Sequence, residues 1–168
     1  LLTRDVPPMN AAPCDVLVRD GPIHAMEPAL PAAAGAVVEE GQGALLLPGF
    51  VEAHTHLDKT LWGLPWYRND VGPDLTDRIE NERRWRAATG HDAGAQSLAL
   101  ARAFLAQGTT RLRTHVDIDT DAGLKHLDGV LATRDTLRGL MDIQVVAFPQ
   151  SGLLCRPGTA QLLDQALR

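Results

Sequence analysis

From about residue 48 onward, hydrophobic and polar positions alternate between two periods. Residues 50–56 carry Glu52, His54 and His56 on one face of an extended segment, because side chains two apart along a strand point the same way. Residues 92–107 place Leu98, Ala101 and Leu105 on one helical stripe, with Gly108 as a C-terminal stop. Residues 112–118 alternate strictly, with Leu112, Thr114, Val116 and Ile118 on one face and Arg113, His115 and Asp117 on the other. A second helix is predicted over 121–138, where Leu124, Leu127, Val130 and Leu131 are apolar and Gly139 ends the run; a third strand follows over 143–148, and a third helix starts at Gly158. This strand–helix order predicts a parallel sheet with crossover helices. A Trp- and Arg-rich insertion over 62–90, with its own helical stretch at 75–88, separates the first strand from its helix. Residues 14–47 read instead as short β elements. Residues 15–18 run into the turn pair Asp20-Gly21, 23–26 continue, and a Pro/Ala loop over 28–35 precedes strand candidates at Val37-Val38 and 45–47.

Polar side chains on one face of a buried parallel strand favour a closed barrel over an open sheet. In an open doubly wound sheet both faces meet helices and the strands are apolar throughout. In a barrel the polar groups near the strand ends line the mouth. The fold class expected is therefore α/β, the front part of a (β/α)8 TIM-type barrel, with its first three β/α units over 48–168. Such barrels need about 250 residues, so the chain reads as the front portion of a larger enzyme. A start at Leu1 without Met and a stop at Arg168 inside a predicted helix fit that expectation.

Composition narrows the class. Among 168 residues, 45% are hydrophobic and 22% charged, with a net charge of −5; this is a globular profile, not a disordered one. The acidic balance argues against a nucleic-acid partner. No apolar run approaches the roughly 18 residues that span a bilayer, so no membrane partner is expected. Cys14 and Cys155 lie far apart and form no CxxC pair, which argues against a disulfide framework and a structural zinc site. No secretory signal pattern opens the chain, and a cytoplasmic location is expected.

His54-Thr55-His56 is the strongest chemical signal. Two imidazoles on one strand face can converge on a single metal ion, with metal–nitrogen bonds of about 2.1 Å. The segment Leu47-Pro-Gly-Phe-Val-Glu-Ala-His-Thr-His-Leu-Asp-Lys59 resembles the first barrel strand of the amidohydrolase superfamily. Arg113-Thr-His-Val-Asp117 and Val145-Val-Ala-Phe-Pro-Gln-Ser-Gly152 are similar to its cytosine deaminase-like branch, which includes aminohydrolases of N-alkylated triazines (the N-alkylammelides).

The resemblance implies that His54 and His56 bind one divalent metal ion, iron or zinc. It implies that Gln150 reads the substrate, an amide suiting the paired carbonyl and ring N–H of a pyrimidine or triazine, and that Leu75 matches a loop leucine at the substrate. It implies that residues 1–47 supply strands of a small β-sandwich side domain. In the family a third histidine, an aspartate, the proton-carrying glutamate and a further histidine come from later strands, so no catalytic acid or base is expected within these residues, and the fragment alone is expected to be inactive.

His115 and Asp117 point inward by parity, and two readings stand for them: a structural pair in the barrel interior, or a direct substrate role. A supporting salt bridge is expected at Lys59 and Asp58. Trp62, Trp66 and Tyr67 are expected to pack the insertion over the barrel mouth. His24, His91 and His126 are expected on loops or an exposed helix face. Glu80, Glu82, Arg83, Arg84 and Arg86 read as a solvated charge run.

The functional expectation is a metal-dependent aminohydrolase cleaving an exocyclic C–N bond of a small heterocycle such as cytosine by metal-activated water, a homo-oligomer when intact. The zinc deaminases with an HxE…PCxxC signature are excluded, since that signature is missing. The alternative is an amidohydrolase-like scaffold or binding protein without catalysis, if the natural chain ends at Arg168.

Overall fold

In the computed structural model, which describes residues 2–6 and 12–168, the chain divides into two units, Leu1–Pro48 and Gly49–Arg168. The first unit holds β1 (Leu2–Val6), β2 (Cys14–Val18), β3 (Ile23–Glu27) and β4 (Val38–Glu40). They form one mixed sheet in the order β3-β2-β1-β4, antiparallel except for the β1–β4 pair. Strand β1 was not legible in the hydrophobic pattern. The 45–47 segment, although apolar, forms no named strand, and Leu45 and Leu47 are exposed.

The second unit runs β5 (Phe50–Thr55), a 3-10 turn (Leu57–Lys59), α1 (Leu75–Thr89), α2 (Ala93–Ala106), β6 (Thr109–Asp117), α3 (Lys125–Thr136), β7 (Asp142–Phe148) and α4 (Thr159–Ala166). Strands β5, β6 and β7 are neighbours in that order and parallel throughout. The register sets Thr55 against Thr114 and Asp117 against Phe148, so the C-terminal ends of all three strands come to one edge.

Local chemistry explains the boundaries. Asp74 caps α1 by accepting from the N–H groups of Thr76 and Asp77, and Gly90 closes it in the left-handed conformation. Asp92 caps α2 in the same manner, accepting from Gly94 and Ala95. The second predicted helix starts later than its apolar pattern suggests, at Lys125. Asp119 Oδ1 takes the N–H groups of Asp121 and Ala122, both at 2.8 Å, and holds that stretch in a turn instead.

The apolar face of β6 makes the core as alternation requires. Leu112, Val116 and Ile118 pack with Leu57, Ala101, Leu127, Val130, Leu137, Met141 and Ile143. Helices α2 and α3 approach closely through Gly129, where a Cβ would lie 2.7 Å from the backbone N of Gly94. Ser97 Oγ and Thr133 Oγ1, 2.6 Å apart, satisfy each other in the same buried interface. No helix among the described residues is long and apolar enough to cross a membrane.

Candidate functional site

The polar face of the parallel sheet carries three imidazoles. The His54 ring centroid lies 5.6 Å from His56 and 4.3 Å from His115, and His56 lies 5.9 Å from His115. His56 sits just past the end of β5, where the chain turns into the 3-10 element. Its Nδ1 donates to the carbonyl of His115 at 2.8 Å. A carbonyl can only accept, so a proton is on Nδ1, and in the neutral form of the ring the lone pair is on Nε2. Leu57 N donates to Thr114 Oγ1 at 2.9 Å, which ties the turn to β6 and holds His56 in place.

The donor set fits a metal in part. Metal–nitrogen bonds of about 2.1 Å put two rings on one tetrahedral ion with centroids roughly 5 Å apart, close to the His54–His56 spacing. The hydrogen bond from His56 Nδ1 to a carbonyl is the arrangement that orients a ligating imidazole. Among the described residues no group of three or more His, Cys, Asp or Glu is placed to hold an ion. Burial, then the charges of His54 and His56, hold the His115 imidazole below its ordinary pKa.

Next to the imidazoles lies an ionic network. Asp58 is fully buried and its Oδ2 accepts from Asp117 N at 3.0 Å. His126 Nδ1 stands 3.3 Å from Asp58 Oδ2 and 3.3 Å from Arg86 Nη1, and one nitrogen serves one of them at a time. Burial alone would raise the Asp58 carboxyl. The hydrogen bonds from His126 and Asp117 N, with the charges of His126 and Lys59, outweigh it and hold the carboxyl below the usual range. Asp117 is equally buried but goes the other way: burial and the charge of Asp119 raise it, against Arg86 and Lys59. Its Oδ2 pairs with Arg86 Nη2 at 3.4 Å, and its Oδ1 accepts from Gln150 N at 3.3 Å. Lys59 Nζ donates to Gln150 Oε1 and pairs with Glu82 at 3.7 Å.

His115 and Asp117 share a β6 face, yet the structure sends them to different groups: His115 to the imidazoles, Asp117 to the ion pairs. Gln150 follows β7 and joins that ionic network through its backbone and its side chain. Leu75 is the first residue of α1 and is 71% exposed. It is not among the residues lining the cleft of about 510 Å³ that opens at His56, Lys59, Tyr67, Trp85 and Leu100. The expected salt bridge at Lys59 is present, with Glu82 as its partner.

Three expectations are corrected. The charge run of α1 is solvated only in part: Arg84 is exposed, but Arg83 and Arg86 are buried, Arg83 pairing with Asp119 and Asp121 and Arg86 with Asp117. Ile79, Arg83 and Arg86 fall on one helix face by three- and four-residue steps, and the carboxylates of Asp117, Asp119 and Asp121 meet that face. His126 is not on an exposed face; its side chain is 12% exposed and faces Asp58. Trp66 does not pack the insertion, being 92% exposed, and Trp62 is exposed as well; Tyr67 packs instead on Trp85, with centroids 5.3 Å apart.

Comparison with known proteins places these features in context. Residues 40–166 match the model of the family described as "Amidohydrolase family". The N-isopropylammelide isopropyl amidohydrolase of Pseudomonas sp. (strain ADP) is 33% identical over 138 residues, which cover 76% of this chain and 33% of that protein. The crystal structure of N-isopropylammelide isopropylaminohydrolase from Burkholderia multivorans superposes with a TM-score of 0.92 at 62% identity, over 99% of this chain and 42% of that one. That of 5-methylcytosine deaminase from Klebsiella pneumoniae with 5-fluorocytosine superposes with a TM-score of 0.78 at 29% identity, over 99% and 41%. The chain spans a quarter to a third of the length of the curated relatives it matches.

Proposed function

The chain belongs to the amidohydrolase family, and on that premise we propose that the full-length protein is a metal-dependent aminohydrolase that cleaves an exocyclic C–N bond of a nitrogen heterocycle, a pyrimidine such as cytosine or an amino-triazine. The observation that carries this reading is the His56 ring, anchored through Nδ1 to the His115 carbonyl and 5.6 Å from the His54 ring. That anchoring leaves Nε2 as the nitrogen available to a ligand, and His54 and His56 would hold one divalent ion, iron or zinc, with further ligands from later strands. The chemistry a divalent ion supplies in such a place is acidification of water to a pKa of about 7.

The chain's own residues do the rest of the work assigned here. Gln150, held at its backbone by Asp117, binds the ring of the substrate. The cleft at His56 and Lys59, with Tyr67 and Trp85 in its wall, offers flat apolar surface to a planar heterocycle. The sheet β5–β6–β7 is read as the opening three strands of a (β/α)8 barrel, and β1–β4 as one layer of its side domain. The likeness to the Burkholderia and Klebsiella enzymes supports both readings.

The test uses the full-length protein loaded with iron or zinc. Release of ammonia from cytosine, or of isopropylamine from N-isopropylammelide, is the expected result. His54→Ala or His56→Ala should remove both activity and most bound metal by elemental analysis. Undiminished metal content in either variant refutes the ligand assignment. No turnover of any amino-pyrimidine or amino-triazine by the loaded protein refutes the activity and leaves a scaffold without catalysis.

A further inference from the structure

The amide of Gln150 is anchored at two points. Its backbone N–H donates to Asp117 Oδ1 at 3.3 Å and to Phe148 O at 3.0 Å. Its side-chain oxygen, Oε1, accepts from Lys59 Nζ. An ammonium has three donors and no acceptor, so only the oxygen end of the amide can face it. Lys59 is itself held, with its side chain 10% exposed and Glu82 of α1 at 3.7 Å. The rotation of the Gln150 amide is therefore set by its neighbours.

From this we infer that Lys59 is a specificity-determining positioning residue: it fixes Gln150 as a hydrogen-bond donor, so that the site selects heterocycles presenting a ring carbonyl or an unprotonated ring nitrogen at this contact. The inference rests on the reading that Gln150 meets the substrate. It is narrower than the expectation that the amide offers both of its edges to the ring. Oε1 keeps a second lone pair, but the ammonium beside it repels the positive end of an incoming N–H. Nε2, with two N–H donors, makes no hydrogen bond among the described residues and is the edge left for a ligand. Asp117 and Arg86 extend the same control to the backbone, since Arg86 Nη2 holds Asp117 Oδ2 at 3.4 Å.

The experiment is a double-mutant cycle in the full-length protein, read as dissociation constants for 5-fluorocytosine and N-isopropylammelide by titration calorimetry. Metal-loaded and metal-stripped protein are both measured, so that binding is read apart from turnover, and thermal unfolding of each variant checks its fold. Gln150→Ala is expected to weaken binding about tenfold, the loss of one hydrogen bond. Gln150→Glu keeps the pairing with Lys59 and removes the N–H donors, so it should lose as much. Lys59→Met should weaken binding severalfold in the parent and not at all in the Gln150→Ala background.

Gln150→Glu binding as well as the parent overturns the inference while Gln150→Ala still sustains the glutamine contact. Lys59→Met costing the same in both backgrounds also overturns it, because Lys59 would then act without Gln150. Unchanged binding in Gln150→Ala overturns the glutamine contact itself. Failure of the parent to bind either probe overturns the heterocycle reading and this inference with it.

Discussion

Replacing Arg86 by Met keeps a long apolar stem on α1 and removes the guanidinium that faces Asp117. Arg86 is 8% exposed and Asp117 fully buried, so the aspartate loses its cationic partner where water cannot replace it. At an effective dielectric of about 20, unit charges roughly 4 Å apart attract by about 4 kcal/mol. Breaking a buried pair from one side costs about 3–5 kcal/mol in measured cases. Protonation of Asp117 sets a ceiling. From the ordinary carboxylate value, neutralising it at pH 7 costs about 4 kcal/mol, at about 1.36 kcal/mol per pH unit, and less here because burial and Asp119 already raise the group. The expected destabilisation is about 2–4 kcal/mol at pH 7.5. It should shrink by at least about 1 kcal/mol at pH 5.5, where the proton is cheaper to acquire. Arg86→Met with Asp117→Asn should recover much of the loss, since Asn can still accept from Gln150 N–H. Urea unfolding of the full-length protein at both pH values measures all of this. A loss below about 1 kcal/mol at pH 7.5, or no recovery with Asn at 117, refutes the view that α1 is clamped to the sheet by a buried ion pair.

Gly129→Ala should lower stability by about 1–3 kcal/mol through overpacking, because its Cβ would meet the Gly94 backbone at 2.7 Å; a thermal midpoint equal to the parent's contradicts that close approach. Asp92→Ala should cost about 1 kcal/mol by uncapping α2, and restoration by Ser, but not by Val, checks the mechanism. His91 donates from Nε2 to Thr60 O at 3.2 Å, while its buried Nδ1 has no partner among the described residues, and burial lowers its pKa. The unfolded chain therefore binds its proton first as pH drops through about 6.5, and stability falls below that pH until the folded group titrates as well. His91→Gln should flatten the stability profile between pH 7 and 5.5; equal slopes in both proteins count against this group as the source.

Two periodicities were enough to place β5, β6, β7 and their crossover helices, because burial on one side of each element imposes a period of 2 or 3.6 on the chain itself. The core face of β6, with Leu112, Thr114 and Val116, and Ile118 just past its end, was legible for the same reason. Metal-ligand candidates at His54 and His56 were legible because strand parity places both on one face without any tertiary information. What the sequence could not show is which charges are buried. Arg83, Arg86 and His126 carry no apolar signal, and their burial depends on carboxylates 31 to 68 residues away in the chain. The same holds for Lys59 and Gln150, 91 residues apart. Asp119 holding residues 119–124 in a turn, against their apolar pattern, is a side-chain competition that periodicity does not register. Pattern records what a residue does to its own element. Pairing of charges is decided where elements meet, at the C-terminal edge of the parallel sheet, and only the tertiary structure brings those partners together.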